Sequence, residues 1–395
     1  MKILHASPSM DPKLGGVCQA VRMIISGLEE YGVVNEVVSL DPPEAPFIQE
    51  ELFPVHALGK GRGPWSYNPN LVPWLSENLG SFDAIIVHGM WLYYGFGVRK
   101  AIEKPRNSAV RLFVMPHGML DPYFQKAPGR KLKALRNYFY WKVIENRLIN
   151  RADGLLFTCE EERRLAREPF RPYHPKRELV VGLGADPPPA YTKSMDDAFR
   201  EKVPELGTSP YILFLSRIHE KKGVDLLLKA YANVRKASAH VENEFPKLII
   251  AGPGLESDYG KEMKALSHET LGLPSSVFFP GMLVDDSKWG AFYGCEAFVL
   301  PSHQENFGIA VIEALACGKA VMISNQVNIW REIESAGGGI IANDTVEGTQ
   351  RMLDEWISRS KEEKQITGQK ALTCFNELFS KRPAAKKFLE AMKSK

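Results

Sequence analysis

Short apolar runs recur along the chain, and each is bounded by glycine, proline, aspartate or serine. In the first half they are Lys2–Ala6, Glu36–Leu40, Asp83–Val87, Leu112–Met115, Gly154–Thr158 and Leu179–Val181. Helical patterns separate most of these runs, for example Val17–Tyr31 and Leu132–Asn150. Buried strands that alternate with helices are typical of a parallel, doubly wound sheet, so the pattern predicts an α/β fold.

A proline-rich stretch, "ADPPPAYTKSMDD", interrupts this alternation after Gly184. Its three consecutive prolines lack backbone N–H donors, so no helix or inner strand runs through them, and we predict a linker over 187–208. The alternation then restarts at Tyr211–Ser216, Leu248–Ala251, Val277–Phe279, Ala297–Leu300, Ala320–Ser324 and Gly339–Ala342. We therefore predict two Rossmann-like doubly wound domains in series, 1–186 and 209–369, that face each other across a cleft.

The last segment, 370–395, has a helical pattern that Pro383 interrupts by a kink or a break. It is either an ordinary surface helix or a helix that crosses back to the first domain. We predict the second arrangement.

Composition excludes several classes of protein. The 395 residues are 44% hydrophobic and 25% charged with a net charge of +3, which is ordinary for a globular protein and too mild to indicate nucleic-acid binding. The five cysteines are scattered without a C-x-x-C pair, which disfavours metal sites and disulfides and favours a cytoplasmic location. The N-terminus has no signal-peptide pattern, and no apolar run reaches the length of about 20 residues that a membrane-spanning helix needs.

The stretch "PSHQENFGIAVIEALACGKAV" (301–321) carries the first candidate chemistry. A buried strand ends at its start, a loop follows, and an amphipathic helix begins near Phe307 or Gly308 and stops at Gly318. The free N–H groups and the dipole of such a helix start favour a phosphate. Glu305 precedes the helix and Glu313 lies inside it, roughly 7 Å further along the axis at 1.5 Å per residue.

A nucleotide diphosphate sugar fits this spacing. Its diphosphate would lie on the helix N–H groups, and each carboxylate would accept hydrogen bonds from one of its two sugars, at about 1.5–3 kcal/mol each. The alternative is that Glu305 is an ordinary loop acid and Glu313 a solvated helix residue.

The string "ENFGIAVIEALACGKAV" resembles the E-x7-E motif of retaining glycosyltransferases with the GT-B fold, the family that includes sucrose synthases and bacterial mannosyltransferases. The resemblance implies that Glu305 contacts the donor sugar, that Glu313 holds the ribose, and that the backbone of Asn306, Phe307 and Gly308 lines the sugar and phosphate. Asn306 stands where that family commonly has glycine or serine, and Lys319-Ala320 replaces a frequent x-Pro.

Two basic residues follow the first strand of the second half, in "LFLSRIHEKKGVDLLLKAY". Arg217 and Lys222 are suited to one diphosphate and would stabilise the leaving group as the glycosidic bond breaks. They resemble the R-x4-K-G motif of the same family, with Ser216 in place of its usual glycine. The alternative, a solvated basic loop, fits Lys221 well and Arg217 poorly, because Arg217 adjoins a buried strand.

The first half contributes weaker candidates. Gly15 and Gly16 in "KLGGVCQAV" open a helix after the first strand, and in the resembling family this loop approaches the donor phosphate or the acceptor. His117 in "FVMPHGMLDPY" follows a strand end, and the resemblance implies contact with the donor sugar near the anomeric carbon. His88 is a weaker candidate for an acceptor-side role. A lone histidine or a Gly-Gly turn is more often structural.

The range 126–151 combines eight basic residues with Tyr138, Tyr140 and Trp141. It is either a solvated helix face or an interfacial helix that docks on anionic lipid, which would suit a lipid-linked acceptor and a peripheral position on the inner face of the plasma membrane.

The leading hypothesis is a retaining, metal-independent hexosyltransferase without cofactor. It would use a UDP- or GDP-sugar and a glycan or lipid-linked acceptor in cell-surface polysaccharide synthesis, and no nucleic acid. Alternatives are a nucleotide-sugar epimerase or phosphorylase on the same scaffold and a non-catalytic sugar-nucleotide-binding subunit. A dinucleotide oxidoreductase is disfavoured because "AGPGLES" has only the first two glycines of G-x-G-x-x-G.

Overall fold

The chain forms two compact units, Met1–Gly184 with Lys381–Lys395 and Ala185–Ser380. The computed structural model describes residues 1–104, 107, 109–127, 129–237, 245–270, 272 and 275–394. Both units contain a parallel sheet with helices between successive strands, so the predicted pair of doubly wound Rossmann-like domains is confirmed.

The first unit contains a seven-stranded sheet in the order β3-β2-β1-β4-β5-β6-β7. Its strands are β1 (Lys2–Ser7), β2 (Val34–Ser39), β3 (Val55–Ala57), β4 (Ala84–His88), β5 (Arg111–Met115), β6 (Gly154–Phe157) and β7 (Glu178–Val180). All pair in parallel, and β4 is buried along its whole length because helices cover both faces of the sheet. Strand order reverses at β1 and β4, where such sheets bind ligands.

In the part of this unit that the structure describes, eight α-helices connect the strands. They are α1 (Gly16–Glu29), α2 (Pro46–Gln49), α3 (Leu71–Asn78), α4 (Tyr93–Ile102), α5 (Tyr123–Lys126), α6 (Lys131–Tyr140), α7 (Asn146–Arg151) and α8 (Glu160–Ala166). One π-helical turn, Trp141–Glu145, joins α6 to α7, and Trp141 is fully buried in the main core of this unit.

The second unit contains a six-stranded parallel sheet in the order β10-β9-β8-β11-β12-β13. Its strands are β8 (Tyr211–Leu215), β9 (Lys247–Ala251), β10 (Val277–Gly281), β11 (Ala297–Leu300), β12 (Ala320–Ser324) and β13 (Gly339–Ala342). Its helices are α9 (Lys193–Lys202), α10 (Val224–Ala237), α11 (Asp258–Ala265), α12 (Asp285–Gly294), α13 (Ile309–Ala316), α14 (Trp330–Ala336), α15 (Val346–Ser358) and α16 (Lys361–Cys374). The order reverses at β8 and β11, which therefore mark the expected ligand end of this sheet.

The range predicted as a linker, 187–208, contains a helix of the second unit. Met195 and Phe199 of α9 are buried, and the Met195 carbonyl approaches α12 so closely that a Cβ added at Gly290 would lie 1.9 Å from its oxygen. The three prolines before α9 led to the prediction of a linker. The apolar residues at i and i+4, Met195 and Phe199, are the feature of the sequence that indicates a helix here.

The C-terminal segment divides at Ser380. α16 and a π-helical turn (Phe375–Phe379) belong to the second unit, and α17 (Lys381–Lys393) belongs to the first. α17 packs on α1, where a Cβ added at Gly27 would lie 3.1 Å from Ala385 Cβ. The predicted interruption is found at Ser380, and Pro383 then lies in the first turn of α17, where its missing N–H costs no helical hydrogen bond. Among the described residues, no helix has the length and apolar character needed to cross a bilayer.

Candidate active site

The loop 301–308 leads from β11 into α13 at the carboxyl edge of the second sheet. Gly308 caps α13 in a left-handed conformation (φ 75°, ψ 68°), and a Cβ added there would lie 3.1 Å from Val311 and 3.3 Å from Glu305 Cγ. Glycine therefore allows the tight entry into the helix and leaves the backbone open to a ligand. The helix begins at Ile309, close to the predicted start, and Gly318 ends it with φ 67°.

Glu305 is held in this loop by its own backbone. Its N–H donates to the Gln326 carbonyl at 2.9 Å, and its carbonyl accepts from the Asn328 N–H at 2.9 Å. The Asn306 N–H donates to Glu305 Oε1 at 3.1 Å. The loop is thus fastened to the segment after β12, and the carboxylate has little freedom to turn away.

Lys222 pairs directly with Glu305. Lys222 Nζ donates to Glu305 Oε2, and the lysine is only 6% exposed. Lys222 follows β8 and Glu305 follows β11, the neighbouring strands at which the sheet order reverses. The predicted diphosphate-binding cation and the predicted sugar-binding carboxylate therefore belong to one cluster.

A glycine places Lys222 at this position. A short 3₁₀ turn, Glu220–Lys222, ends at Gly223, which is left-handed with φ 67°. A Cβ added at Gly223 would lie 2.2 Å from the Pro301 carbonyl oxygen, so any other residue would push the two loops apart.

The charge of Lys222 governs the ionisation of Glu305. Burial raises the pKa of the Glu305 carboxyl, but the charge and hydrogen bond of Lys222 lower it, together with the charge of Lys221 and the Asn306 N–H. The lowering effects prevail, and the pKa of Glu305 lies below its ordinary value. Glu305 is therefore an anion at neutral pH, suited to accept hydrogen bonds from hydroxyl groups.

The remaining predicted residues of this unit lie around the same edge. Glu313 projects from α13, and its Oε1 accepts from Lys288 Nζ of α12 at 2.9 Å. Phe307 is buried against Phe379, which anchors the loop. Arg217 lies in the loop after β8 and is exposed. The expectation that its neighbouring strand would shield it is wrong, because the chain has already left the sheet at Leu215.

The glycines of the first unit open α1 as predicted. Gly15 has φ 91° and caps the helix, and a Cβ added at Gly15 or Gly16 would meet nothing within 4 Å. Both are exposed, so the start of α1 is accessible at the carboxyl end of β1.

His117 lies directly after β5 in a strained backbone conformation. Its φ is 52°, uncommon for a residue other than glycine and frequent at functional sites. The buried Glu162 holds this turn, because its Oε1 accepts from the Gly118 N–H at 2.6 Å and its Oε2 from the Thr158 N–H at 2.7 Å. Burial lowers the pKa of His117 to about 4, so the imidazole is neutral at pH 7.

The structure adds His5, Asn35 and Lys288, which sequence reasoning missed, and it connects the first two with His88, a weaker sequence candidate. His88 hydrogen-bonds to His117 and to His5, and His5 reaches Asn35. His5 and Asn35 are polar interruptions of two apolar strands, which was the signal for them. Lys288 had no comparable signal. Among the described residues, no group of three or more histidine, cysteine, aspartate or glutamate side chains is arranged to hold a metal ion.

Two family models match the chain. The model "Glycosyl transferases group 1" matches residues 195–371, and "Glycosyl transferase 4-like domain" matches residues 15–184. These ranges correspond to the second and first units and include nearly all of the candidate site residues.

Similar proteins and solved structures support the same family. A D-inositol 3-phosphate glycosyltransferase of Paenarthrobacter aurescens is 30% identical over 378 residues, 86% of this chain and 84% of that protein. The uncharacterized glycosyltransferase MJ1607 of Methanocaldococcus jannaschii is 28% identical over 163 residues, and the match spans 40% of this chain and 39% of that relative's length. The crystal structure of Anabaena Alr3699/HepE in complex with UDP-glucose shares the fold, with a TM-score of 0.75 at 18% identity over 99% of both chains. The chain belongs to the group 1 glycosyltransferases and is a glycosyltransferase of the GT-B type.

Proposed function

We propose that this glycosyltransferase moves a hexose from a UDP- or GDP-sugar to an acceptor hydroxyl with retention of configuration and without a metal ion. The observation that carries the proposal is the ion pair between the buried Lys222 and the partly exposed Glu305, just before the start of α13. In this proposal Lys222 would bind phosphate, Glu305 would bind sugar hydroxyls, and the first N–H groups of α13 would add to the phosphate site.

The chemistry of the donor fits this arrangement. The diphosphate would lie at the N-terminus of α13 and near Lys222 and Arg217, whose charges would stabilise the phosphate as the glycosidic bond breaks. The acceptor hydroxyl would attack the anomeric carbon from the side that the phosphate leaves, and a phosphate oxygen would take the hydroxyl proton. Cationic side chains would then stabilise the charge on the leaving phosphate, as a metal ion does in other enzymes. The proposed reaction therefore needs no metal ion or other cofactor.

The names of similar proteins support parts of this proposal. Alr3699/HepE was crystallised with UDP-glucose, which supports a nucleotide-sugar donor. The Paenarthrobacter relative is named for D-inositol 3-phosphate, a phosphorylated polyol. We propose a polyhydroxylated acceptor, either a glycan or a lipid-linked glycan of the cell surface.

A panel of nucleotide sugars tests the proposal. Thermal unfolding should identify the donor by its stabilisation of the protein, because a ligand that binds the folded state raises Tm. NMR of the product formed with that donor should show an anomeric configuration equal to the donor's. Isomerised sugar nucleotide formed without an acceptor would indicate an epimerase, and an inverted product would overturn retention.

Glu313→Ala should weaken nucleotide binding about 10- to 100-fold, with a smaller effect on turnover at saturating donor. The reason is that one charged hydrogen bond to the ribose is worth about 1.5–3 kcal/mol. Isothermal titration with the free nucleoside diphosphate measures this loss. Lys288→Met, which removes the partner of Glu313 but leaves the carboxylate, is the matched control and should weaken binding less; unchanged affinity in Glu313→Ala would remove Glu313 from the site.

We also propose that α6 and the turn after it contact anionic membranes. Large apolar side chains are exposed at 3- and 4-residue steps along this segment, at Leu132 (84%), Leu135, Phe139 and Val143. Exposed Lys131, Lys133, Arg136 and Lys142 accompany them. An apolar stripe flanked by basic side chains is typical of a helix that lies in a lipid interface. Pro128, within the sequence range 126–151, lies outside the described residues.

Flotation with vesicles tests this contact. The protein should float with vesicles that contain phosphatidylserine, bind less as salt rises, and bind poorly to neutral vesicles. Leu135→Ser/Phe139→Ser should reduce flotation severalfold, whereas Leu52→Ser, at a 98% exposed leucine outside the stripe, should not. Equal binding to neutral vesicles would contradict the proposal.

A further inference from the structure

Four polar side chains form a line across the first sheet. Asn35 lies on β2, His5 on β1, His88 on β4, and His117 directly after β5. The order β2-β1-β4-β5 makes these strands consecutive neighbours in the sheet. The rings of His5, His88 and His117 follow at centroid spacings of 5.2 Å, close to the separation of adjacent strands.

Hydrogen bonds connect the line from end to end. Asn35 Oδ1 is 3.1 Å from His5 Nε2, His5 Nδ1 is 2.9 Å from His88 Nε2, and His88 Nδ1 is 3.0 Å from His117 Nε2. Asn35, His5 and His88 are buried, and both ring nitrogens of His5 and of His88 are used within the line.

The asparagine gives the line a direction. Asn35 Nδ2 donates to the Val33 carbonyl at 3.0 Å, so the oxygen of its amide faces His5 and can only accept. His5 Nε2 must then carry the proton, which leaves Nδ1 of a neutral His5 as an acceptor for a proton on His88 Nε2. The same step repeated at His88 puts the proton of His117 on its Nε2.

The rings are neutral. Burial lowers the pKa of His5 to about 4, against the opposing effect of its hydrogen bond to Asn35, and lowers the pKa of His117 to about 4. The pKa of His88 is lowered by burial and by the charges that its two neighbours would carry. A neutral imidazole has one donor and one acceptor, so the direction set at Asn35 is transmitted without ambiguity.

We propose that Asn35 is a positioning residue that, through His5 and His88, locks His117 in its Nε2–H tautomer and so keeps His117 Nδ1 as a hydrogen-bond acceptor. That lone pair would receive a hydrogen bond from a substrate hydroxyl, a part of the proposal that rests on the proposed function. The bond to His88 uses His117 Nε2, and among the described residues no group hydrogen-bonds to His117 Nδ1.

The line does not carry a proton away. It ends on an amide, which has no site for an added proton near pH 7. A proton accepted at His117 Nδ1 would therefore stay on that ring at the cost of a buried charge. The arrangement suits a fixed acceptor for a hydroxyl and does not suit a general base that exports protons.

Long-range ¹⁵N–¹H spectra of protein labelled in its histidine rings test the tautomers directly. At pH 7.5 the wild type should show the Nε2–H tautomer for His5, His88 and His117. Asn35→Leu removes the acceptor at similar volume and should give His117 a substantial Nδ1–H population. Asn35→Asp keeps an acceptor toward His5 and should restore the Nε2–H tautomer.

Kinetics give the second readout. Asn35→Leu should lower kcat about tenfold, because the hydrogen bond from the substrate hydroxyl to His117 would be lost. Asn35→Asp should restore most of the lost kcat. Asn68→Leu, which removes another buried amide of this unit, is the control for a general loss of packing and should leave the tautomers unchanged.

A wild-type His117 with the proton on Nδ1, or an Asn35→Leu variant with His117 still entirely Nε2–H, would overturn the proposal. If Asn35→Leu does not fold, the wild-type and Asn35→Asp spectra give the answer. The spectra need no donor sugar, so failure of every nucleotide sugar to react would contradict the proposed function and leave the tautomer assignment standing.

Discussion

Glu305→Ala should reduce sugar transfer about 10³-fold, while affinity for the free nucleoside diphosphate changes by less than about threefold. The backbone of Glu305 makes two hydrogen bonds, the Asn306 N–H donates to its carboxylate, and Lys222 keeps the carboxylate ionised. In our account it binds hydroxyls of the transferred sugar and not the nucleotide. A preorganised charged group that orients the reacting sugar contributes on the order of 10²–10³ in rate, and the loss of orientation adds to this.

Two variants sharpen this prediction. Glu305→Gln keeps the shape and one acceptor oxygen, so it should fall between wild type and Glu305→Ala. In the double variant Glu305→Ala/Lys222→Met, the two effects should be far from additive because the side chains form one ion pair. A Glu305→Ala enzyme that transfers sugar at the wild-type rate would remove Glu305 from the site.

Lys222→Met should reduce kcat about 10²–10³-fold, because it removes the buried cation that we assign to the leaving diphosphate. The substitution also affects Glu305, because Lys222 lowers the pKa of the Glu305 carboxyl. Without the lysine, that pKa rises, so the acidic limb of the pH–activity profile should move to higher pH. Measuring kcat/KM against pH for both enzymes shows this shift.

The neighbouring lysine supplies the control for Lys222. Lys221→Ala removes a half-exposed charge but keeps the backbone carbonyl that accepts from the His303 N–H, so its loss of activity should be much smaller. Arg217→Ala should resemble Lys222→Met in rate. It should leave the acidic limb in place, because the groups that lower the pKa of Glu305 are Lys222, Lys221 and the Asn306 N–H. Wild-type turnover in Lys222→Met would contradict its assignment.

The sequence was sufficient for the fold because its apolar runs are long and regular. The run Asp83–Val87, for example, contains most of β4 (Ala84–His88), a fully buried central strand, and the breaks at glycine and proline became connections between strands. The edge strand β3 was missed because it has only three half-buried residues. α9 was missed because three prolines precede it, although the buried pair Met195 and Phe199 determines its packing.

The parts of the site that consecutive residues form could be predicted from the sequence. The start of α13, with Gly308 and Glu305 before it, depends on consecutive residues and could be read directly. The pairing of Lys222 with Glu305 depends on strand order, which brings the ends of β8 and β11 together across 83 positions of sequence. The line from Asn35 to His117 likewise needs the order of four strands, and only the structure provides it.

The most direct test is a crystal structure with a nucleotide sugar or an unreactive analogue bound. The account predicts a diphosphate at the N-terminus of α13 within hydrogen-bond distance of backbone N–H groups, Glu305 on hydroxyls of the transferred sugar, and Glu313 on the ribose. A diphosphate bound elsewhere, or Glu305 and Glu313 both without contact to the donor, would contradict it.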